Sequence, residues 1–108
     1  MSAVWGALGQ AQPSATTLTG CYTVPALKNA AVQVIITNTG AGNATVRLSH
    51  AINGAADTLS QYLLYDMSLG IAVSFSTARF AVRAGDVLRV YASTSTVSFN
   101  INGIEDDV

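Results

Sequence analysis

The strongest constraint in this chain is the period of its apolar residues, which recur at every second position through most of the sequence. Successive side chains on an extended backbone point to opposite sides. A period of two therefore marks a β-strand with one face on a core and the other turned away. From Ala31 to Asn38, Val32, Val34 and Ile36 share one face while Gln33, Ile35 and Thr37 share the other. From Ala44 to Ile52 the inward set is Val46, Leu48, His50 and Ile52. Ile71, Val73 and Phe75 alternate with Ala72, Ser74 and Ser76, and Val97, Phe99 and Ile101 alternate with Ser98, Asn100 and Asn102. Helical spacing competes only between Thr58 and Asp66, where Leu59, Tyr62, Leu63 and Asp66 also fit one helix face. The aromatic and apolar residues there, bounded by turn formers, favour a strand.

Turn-forming residues separate these runs at intervals of roughly 8 to 15 residues, the rhythm of a sandwich or barrel. They are Pro25, Thr39-Gly40-Ala41-Gly42-Asn43, Asn53-Gly54, Ala84-Gly85-Asp86 and Ser93-Thr94-Ser95-Thr96. The spacing predicts strands near 17–24, 31–38, 44–52, 60–66, 70–76, 79–83, 87–92 and 96–103. The expected fold class is all-β: a single antiparallel β-sandwich, jelly-roll-like, of about seven or eight strands. Its expected core is Val32, Val34, Ile36, Val46, Leu48, Val73, Phe75, Leu88, Val90, Val97, Phe99 and Ile101. Residues 1–16 show no sustained alternation and contain Gly6, Gly9, Pro13 and Ser14, so they are expected to form an extended N-terminal arm on a sandwich domain of residues 17–108. Val4, Trp5 and Leu8 are the arm's expected apolar anchors, either docking on a neighbouring subunit or the shell, where a partner surface would order them, or packing back onto the arm's own domain.

Charge narrows the function classes. Only 10% of the residues are Asp, Glu, Lys or Arg, far below the roughly 25% of ordinary soluble domains. In their place stand 17 Ala, 11 Thr and 10 Ser, small side chains that give up little conformational entropy when another subunit covers them. A surface of this kind suits assembly. With a net charge of −1 and only five Lys and Arg, the chain lacks the clustered positive charge that nucleic-acid phosphates require. No apolar run approaches the length that crosses a bilayer, and Met1-Ser2-Ala3-Val4-Trp5 lacks the basic start and apolar stretch of a secretory signal. Synthesis in the cytoplasm, with no membrane partner, is expected.

The residues that carry chemistry are few. Cys21 is the only cysteine, which excludes an intrachain disulfide and leaves an intersubunit bridge open, and His50 is the only histidine. A Cys–His nucleophilic pair is thus the sole enzyme constellation available, and no flanking motif supports it. The parity of His50 with Val46 and Leu48 favours a partly buried packing histidine. No Gly-rich phosphate loop, paired-carboxylate site or metal-spaced cluster occurs, so no catalytic, cofactor or metal site is expected. Glu105-Asp106-Asp107 reads as a solvated acidic tail or as a partner for a neighbouring subunit's arginines, with Arg79 and Arg83, which share a strand parity, on the basic side. Tyr22, Tyr62, Tyr65, Tyr91 and Trp5 raise sugar stacking as an alternative, although their positions are scattered in sequence.

Tyr22-Thr23-Val24-Pro25-Ala26 resembles the opening strand of a family of small bacteriophage virion proteins and fibre domains. Leu8-Gly9-Gln10 is similar to the family's usual start, Gln61-Tyr62-Leu63-Leu64-Tyr65-Asp66 to its middle strand, and Ala84-Gly85-Asp86-Val87-Leu88-Arg89-Val90-Tyr91-Ala92-Ser93 with Val97-Ser98-Phe99-Asn100 to its closing hairpin. Two positions depart from it: Leu27 stands where a glycine or small turn residue is common, and Ser68 where proline is frequent. The resemblance implies a structural role in the virion without catalysis. A capsid decoration protein is expected, attached to the particle surface through the major capsid protein or another virion protein, as a homo-oligomer with a trimer favoured. The alternatives are a tail or fibre accessory protein and a module that binds a host-surface glycan. The expected particle or subunit interface comprises Val4, Trp5, Leu8, Arg79, Arg83, Glu105, Asp106 and Asp107.

Overall fold

The computed structural model describes residues 3–107, so Met1 and Ser2 of the expected arm and Val108 lie outside the described residues. Nine strand segments follow one another: β1 (Val4–Ala11), β2 (Thr19–Thr23), β3 (Lys28–Asn38), β4 (Ala44–Ala51), β5 (Tyr62–Leu69), β6 (Ser74–Ser76), β7 (Phe80–Arg83), β8 (Val87–Ala92) and β9 (Val97–Asp107). Two 3-10 turns, Ile52–Gly54 and Leu59–Gln61, lie between β4 and β5. Sheet A runs β1-β9-β3 with β6 and β7 both on the far side of β3; sheet B runs β2-β8-β4-β5. Every pairing is antiparallel. The chain changes sheet at most connections, which is the winding of a jelly roll. Among the described residues no helix is long and apolar enough to cross a membrane.

Segments β6 and β7 together fill one strand position. Ser76 pairs with Ile35 and Phe80 with Val32, so residues 77–79 stand against only 33 and 34 of β3. This is a β-bulge. Thr77 holds it to the sheet, donating its N–H to the Val34 carbonyl at 3.0 Å and accepting the Val34 N–H on Oγ1 at 3.1 Å.

Ten of the twelve expected core residues are fully buried, all except Val73 and Phe75. Phe75 is partly buried against the core. Val73 is 45% exposed because the chain is still turning there: Ala72 takes a φ of 57°, and the Val73 N–H closes the turn on the Gly70 carbonyl at 3.3 Å. Ile52, also expected inward, is exposed, since β4 stops at Ala51 and Asn53 takes a φ of 54°. Thr58 to Asp66 divides between one 3-10 turn and β5, so the strand expectation holds from Tyr62 onward.

The amino end is the largest difference from the sequence reading. Val4–Ala11 is not a free arm but an edge strand, paired with β9 from Val4 opposite Glu105 to Ala11 opposite Phe99. Leu8 packs against the core from this strand. Pro13 is buried, and the Thr16 N–H reaches the Ala92 carbonyl at 2.8 Å. Alternation failed to mark β1 because its ladder depends on an eleven-residue partner almost a whole chain length away. Gly6 and Gly9 also give it little strand propensity of its own.

A buried polar residue fastens each end of the sandwich. At one end Asn38, fully buried, donates Nδ2 to the carbonyls of Gly42, Leu69 and Gly70 at 2.8, 3.3 and 3.2 Å. Its Oδ1 accepts the Gly40 N–H at 3.0 Å and the Thr96 hydroxyl at 3.1 Å. Three loops are thereby joined, and Gly40 passes so near Thr96 that a Cβ would lie 2.6 Å from its Oγ1. At the other end Asp86 accepts the Asn53 N–H on Oδ1 at 2.9 Å and the Arg83 N–H on Oδ2 at 3.0 Å, and Oδ2 lies 2.7 Å from His50 Nε2.

Candidate functional site

The outer face of sheet A brings together part of the expected interface. Residues directly opposite in an antiparallel pair share a face. On β3, Ala30, Val32 and Val34 point into the core, so Asn29, Ala31 and Gln33 point outward and carry their partners with them. Three rows cross the sheet: Asp106, Asn29 and Arg83; then Trp5, Ile104, Ala31 and Ala81; then Ala7, Asn102 and Gln33. Gln33 donates Nε2 to Ser76 Oγ at 2.6 Å and to the Thr77 carbonyl at 3.1 Å, which ties the third row to the bulge that carries Arg79. Trp5 is 74% exposed. A hollow of about 250 Å³ lies beside it, lined by Gly6, Gln33, Arg79, Asn102, Gly103 and Ile104. Only glycine fits at Gly103, since a Cβ there would collide with the Ala31 carbonyl oxygen.

The basic side chains of the two sheets differ in whether they have partners. Lys28 is paired with Asp107, Arg47 with Asp66 at 2.6 Å, and Arg89 donates to the Ala55 carbonyl at 3.0 Å. The side chains of Arg79 and Arg83 make no hydrogen bond or ion pair among the described residues. Asp106 accepts the Asp107 N–H on Oδ1 at 2.9 Å. The expected acidic tail is the end of β9, and its three carboxylates have separate fates. Glu105 faces inward and accepts the Tyr22 hydroxyl from sheet B, Asp107 is held by Lys28, and Asp106 is on the outer face. Burial, with the Glu105 carboxylate beside it, pushes the Tyr22 phenol well above its ordinary value.

Of the eight expected interface residues, Trp5, Arg79, Arg83 and Asp106 therefore meet on or beside one face. Val4 is half-exposed at the start of the edge strand, while Leu8, Glu105 and Asp107 are engaged within the domain. Ala31, Gln33, Ala81, Asn102 and Ile104 complete the face and were not singled out from sequence. Their signal was the parity opposite to the core set, which cannot separate a face that meets a partner from one that meets water.

The outer face of sheet B gathers three of the scattered tyrosines. The Arg47 guanidinium lies 4.3 Å from the ring centroids of both Tyr65 and Tyr91, and Tyr62 meets Tyr65 edge-on at 5.1 Å. Asp66 takes the Arg47 Nε–H from the same side. Cation–π stacking and an ion pair thus run across β8, β4 and β5.

The titratable pair at the end of the sandwich is structural in form. His50 stands opposite Leu88, a core residue, and 6.3 Å from the Phe80 ring of the other sheet, so it is the partly buried packing histidine expected. Burial pushes the Asp86 carboxyl up, but the N–H groups of Asn53 and Arg83 and the His50 ring outweigh it and hold Asp86 below its ordinary value. Cys21 sits on β2, separated from β4 by β8, and burial pushes its thiol up to about 11. A thiol raised in this way stays protonated at neutral pH. Among the described residues no three His, Cys, Asp or Glu side chains stand close enough to share a metal ion. Comparison with protein-family models, with curated proteins and with solved structures finds no match to this chain.

Proposed function

We propose that this chain is a structural protein of a bacteriophage particle, a capsid decoration protein that self-associates and binds the particle surface. The observation that carries the reading is apolar surface left uncovered on a charge-poor jelly roll. Trp5, Leu27, Ile52, Leu59 and Ile71 are each more than half exposed, in a chain with 10% charged residues. A charge-depleted surface that carries large apolar side chains has the composition of a surface that other subunits cover. The resemblance of the strand and turn segments to phage virion proteins supplies the particle. A jelly roll alone would not, because one fold serves many functions.

The test is an electron-microscopy map of the particle whose genome encodes the chain. Density for the jelly roll on the capsid surface is the expected result. Density on the tail or fibre would move the protein to an accessory role there, and a particle without it would remove the reading. A second reading, a module that binds a host-surface glycan, is favoured by the gathering of Tyr62, Tyr65 and Tyr91 on one face. A glycan array with the intact protein separates the two, since binding lost in Tyr65→Ala is expected only of the second.

A further inference from the structure

We propose that the outer face of sheet A is the self-association face, and that two copies pack on it face to face about a two-fold axis running along β3. The proposal rests on the reading of the protein as an oligomer and names the surface and symmetry that would build it. The argument comes from the order of residues across the sheet. Asn29 has Asp106 on one side and Arg83 on the other, all three facing outward, with the opposite charges two strand spacings apart, about 10 Å. A two-fold axis along β3 keeps each row in place and exchanges the β9 side of one copy with the β7 side of the other. Arg83 then faces Asp106 of the second copy, and Asp106 faces Arg83 of the second copy. One pattern thus yields two ion pairs, as an isologous contact requires.

The next row obeys the same exchange. Ala31 lies on the axis and meets itself, Ile104 of each copy comes over Ala81 of the other, and Trp5 extends toward the flank that carries Arg79. Large side chains are thus set against small ones, which aligned sheets need in order to approach to about 10 Å. The face also has what an isolated monomer leaves unused: Trp5 at 74% exposure, and the two basic side chains that have no partner among the described residues. Among the described residues Asp106 commits only Oδ1, to a backbone N–H, which leaves Oδ2 for a guanidinium. An unrelated partner would require no such internal complementarity. A second copy requires it.

The experiment is a charge swap read by light scattering and sedimentation on the full chain at low salt. The intact protein is expected at twice its 11.1 kDa mass. Arg83→Glu and Asp106→Arg each place like charges opposite one another twice and should weaken association at least about tenfold. The double variant restores opposite charges in exchanged positions and should recover the dimer. Ala81→Arg, at an exposed position, should abolish association and melt like the intact chain at concentrations low enough for both to be monomers, which keeps the test valid if a swap variant folds poorly. Singles that associate as well as the intact chain, or a double that fails to recover, would overturn the face. So would a monomer at all concentrations, or a trimer indifferent to these substitutions. In the last case the structural-oligomer reading would survive, and a particle map with the jelly roll in another arrangement would separate the two in the same way.

Discussion

The two ends of the sandwich solve one problem with different chemistry. Each must hold several loops over the open end of a core, and each does so through one buried polar side chain, Asn38 at one end and Asp86 at the other. Asn38 is neutral, and the connections around it, residues 12–18, 39–43, 70–73 and 93–96, contain no Asp, Glu, Lys, Arg or His. Asp86 is a carboxylate, and His50, Lys28, Arg83, Tyr22 and Glu105 belong to the same end. A neutral amide both donates and accepts, so Asn38 satisfies carbonyls and N–H groups together at every pH. A carboxylate only accepts, but its charge strengthens each bond it takes. The strength at the Asp86 end is therefore conditional on pH, and the strength at the Asn38 end is not.

The largest expected effect comes from removing the charged fastener. Asp86→Ala leaves the Asn53 and Arg83 N–H groups and the His50 ring without their acceptor and should cost about 3 to 5 kcal/mol, measured by denaturant unfolding. Because the folded carboxyl is held below its ordinary 3.8, its contribution is complete above that value and is lost as pH falls through the folded value. The gap in melting temperature between the intact chain and Asp86→Asn should narrow in acid. A constant gap would show that charge plays no part.

Asn38→Ala is expected to cost slightly less, about 2 to 4 kcal/mol, since it orphans neutral groups only. The test of the comparison is its pH profile: the loss should be the same at pH 7 as in acid.

A smaller effect, about 1 to 3 kcal/mol, is expected for Tyr22→Phe, which strips the donor from partly buried Glu105. The folded phenol lies above its ordinary 10.0, so its contribution is present below that pH and is lost as pH rises toward the folded value. The intact chain should lose stability in alkali that Tyr22→Phe does not lose. The charged end would then be loosened from both sides of the pH scale.

The smallest effect is a gain. Leu27, between β2 and β3 at the Asp86 end, holds a φ of 64° with its side chain exposed. Leu27→Gly relieves a left-handed strain of about 1 to 2 kcal/mol and gives back part of it as unfolded-chain entropy, for a net gain of about 0.5 to 1 kcal/mol in thermal melting. Destabilisation would show that the side chain makes contacts that outweigh its backbone strain.

These positions show what a one-dimensional reading reaches. The parity of Val32, Val34 and Ile36 runs on to Asn38, so its burial was implicit in the alternation. Its five hydrogen bonds were not, because their partners come from three loops separated by up to 58 residues. Gly85 and Asp86 were legible as a hairpin turn, whereas the bonds from Asp86 to His50 and Asn53 span 36 and 33 residues. In the candidate face, Trp5 and Arg79 were legible as unusual residues in a charge-poor chain. Their meeting was not, since it depends on β1 pairing with β9 and on the bulge between β6 and β7.

The sequence by itself determined the strand class, most of the strand positions and the inward face of each, because period two is a local property of an extended backbone. It also determined that charge would be scarce on the surface. The tertiary structure alone decided which strands became neighbours and therefore the two sheet orders. It turned the expected arm into β1 and separated Glu105, Asp106 and Asp107 into an interior acceptor, an outer-face charge and a partner for Lys28. The physical reason is the same in each case. Alternation tells a residue which side of its own strand it occupies, but whether that side meets a core, a neighbouring side chain or solvent depends on strands brought alongside from far along the chain.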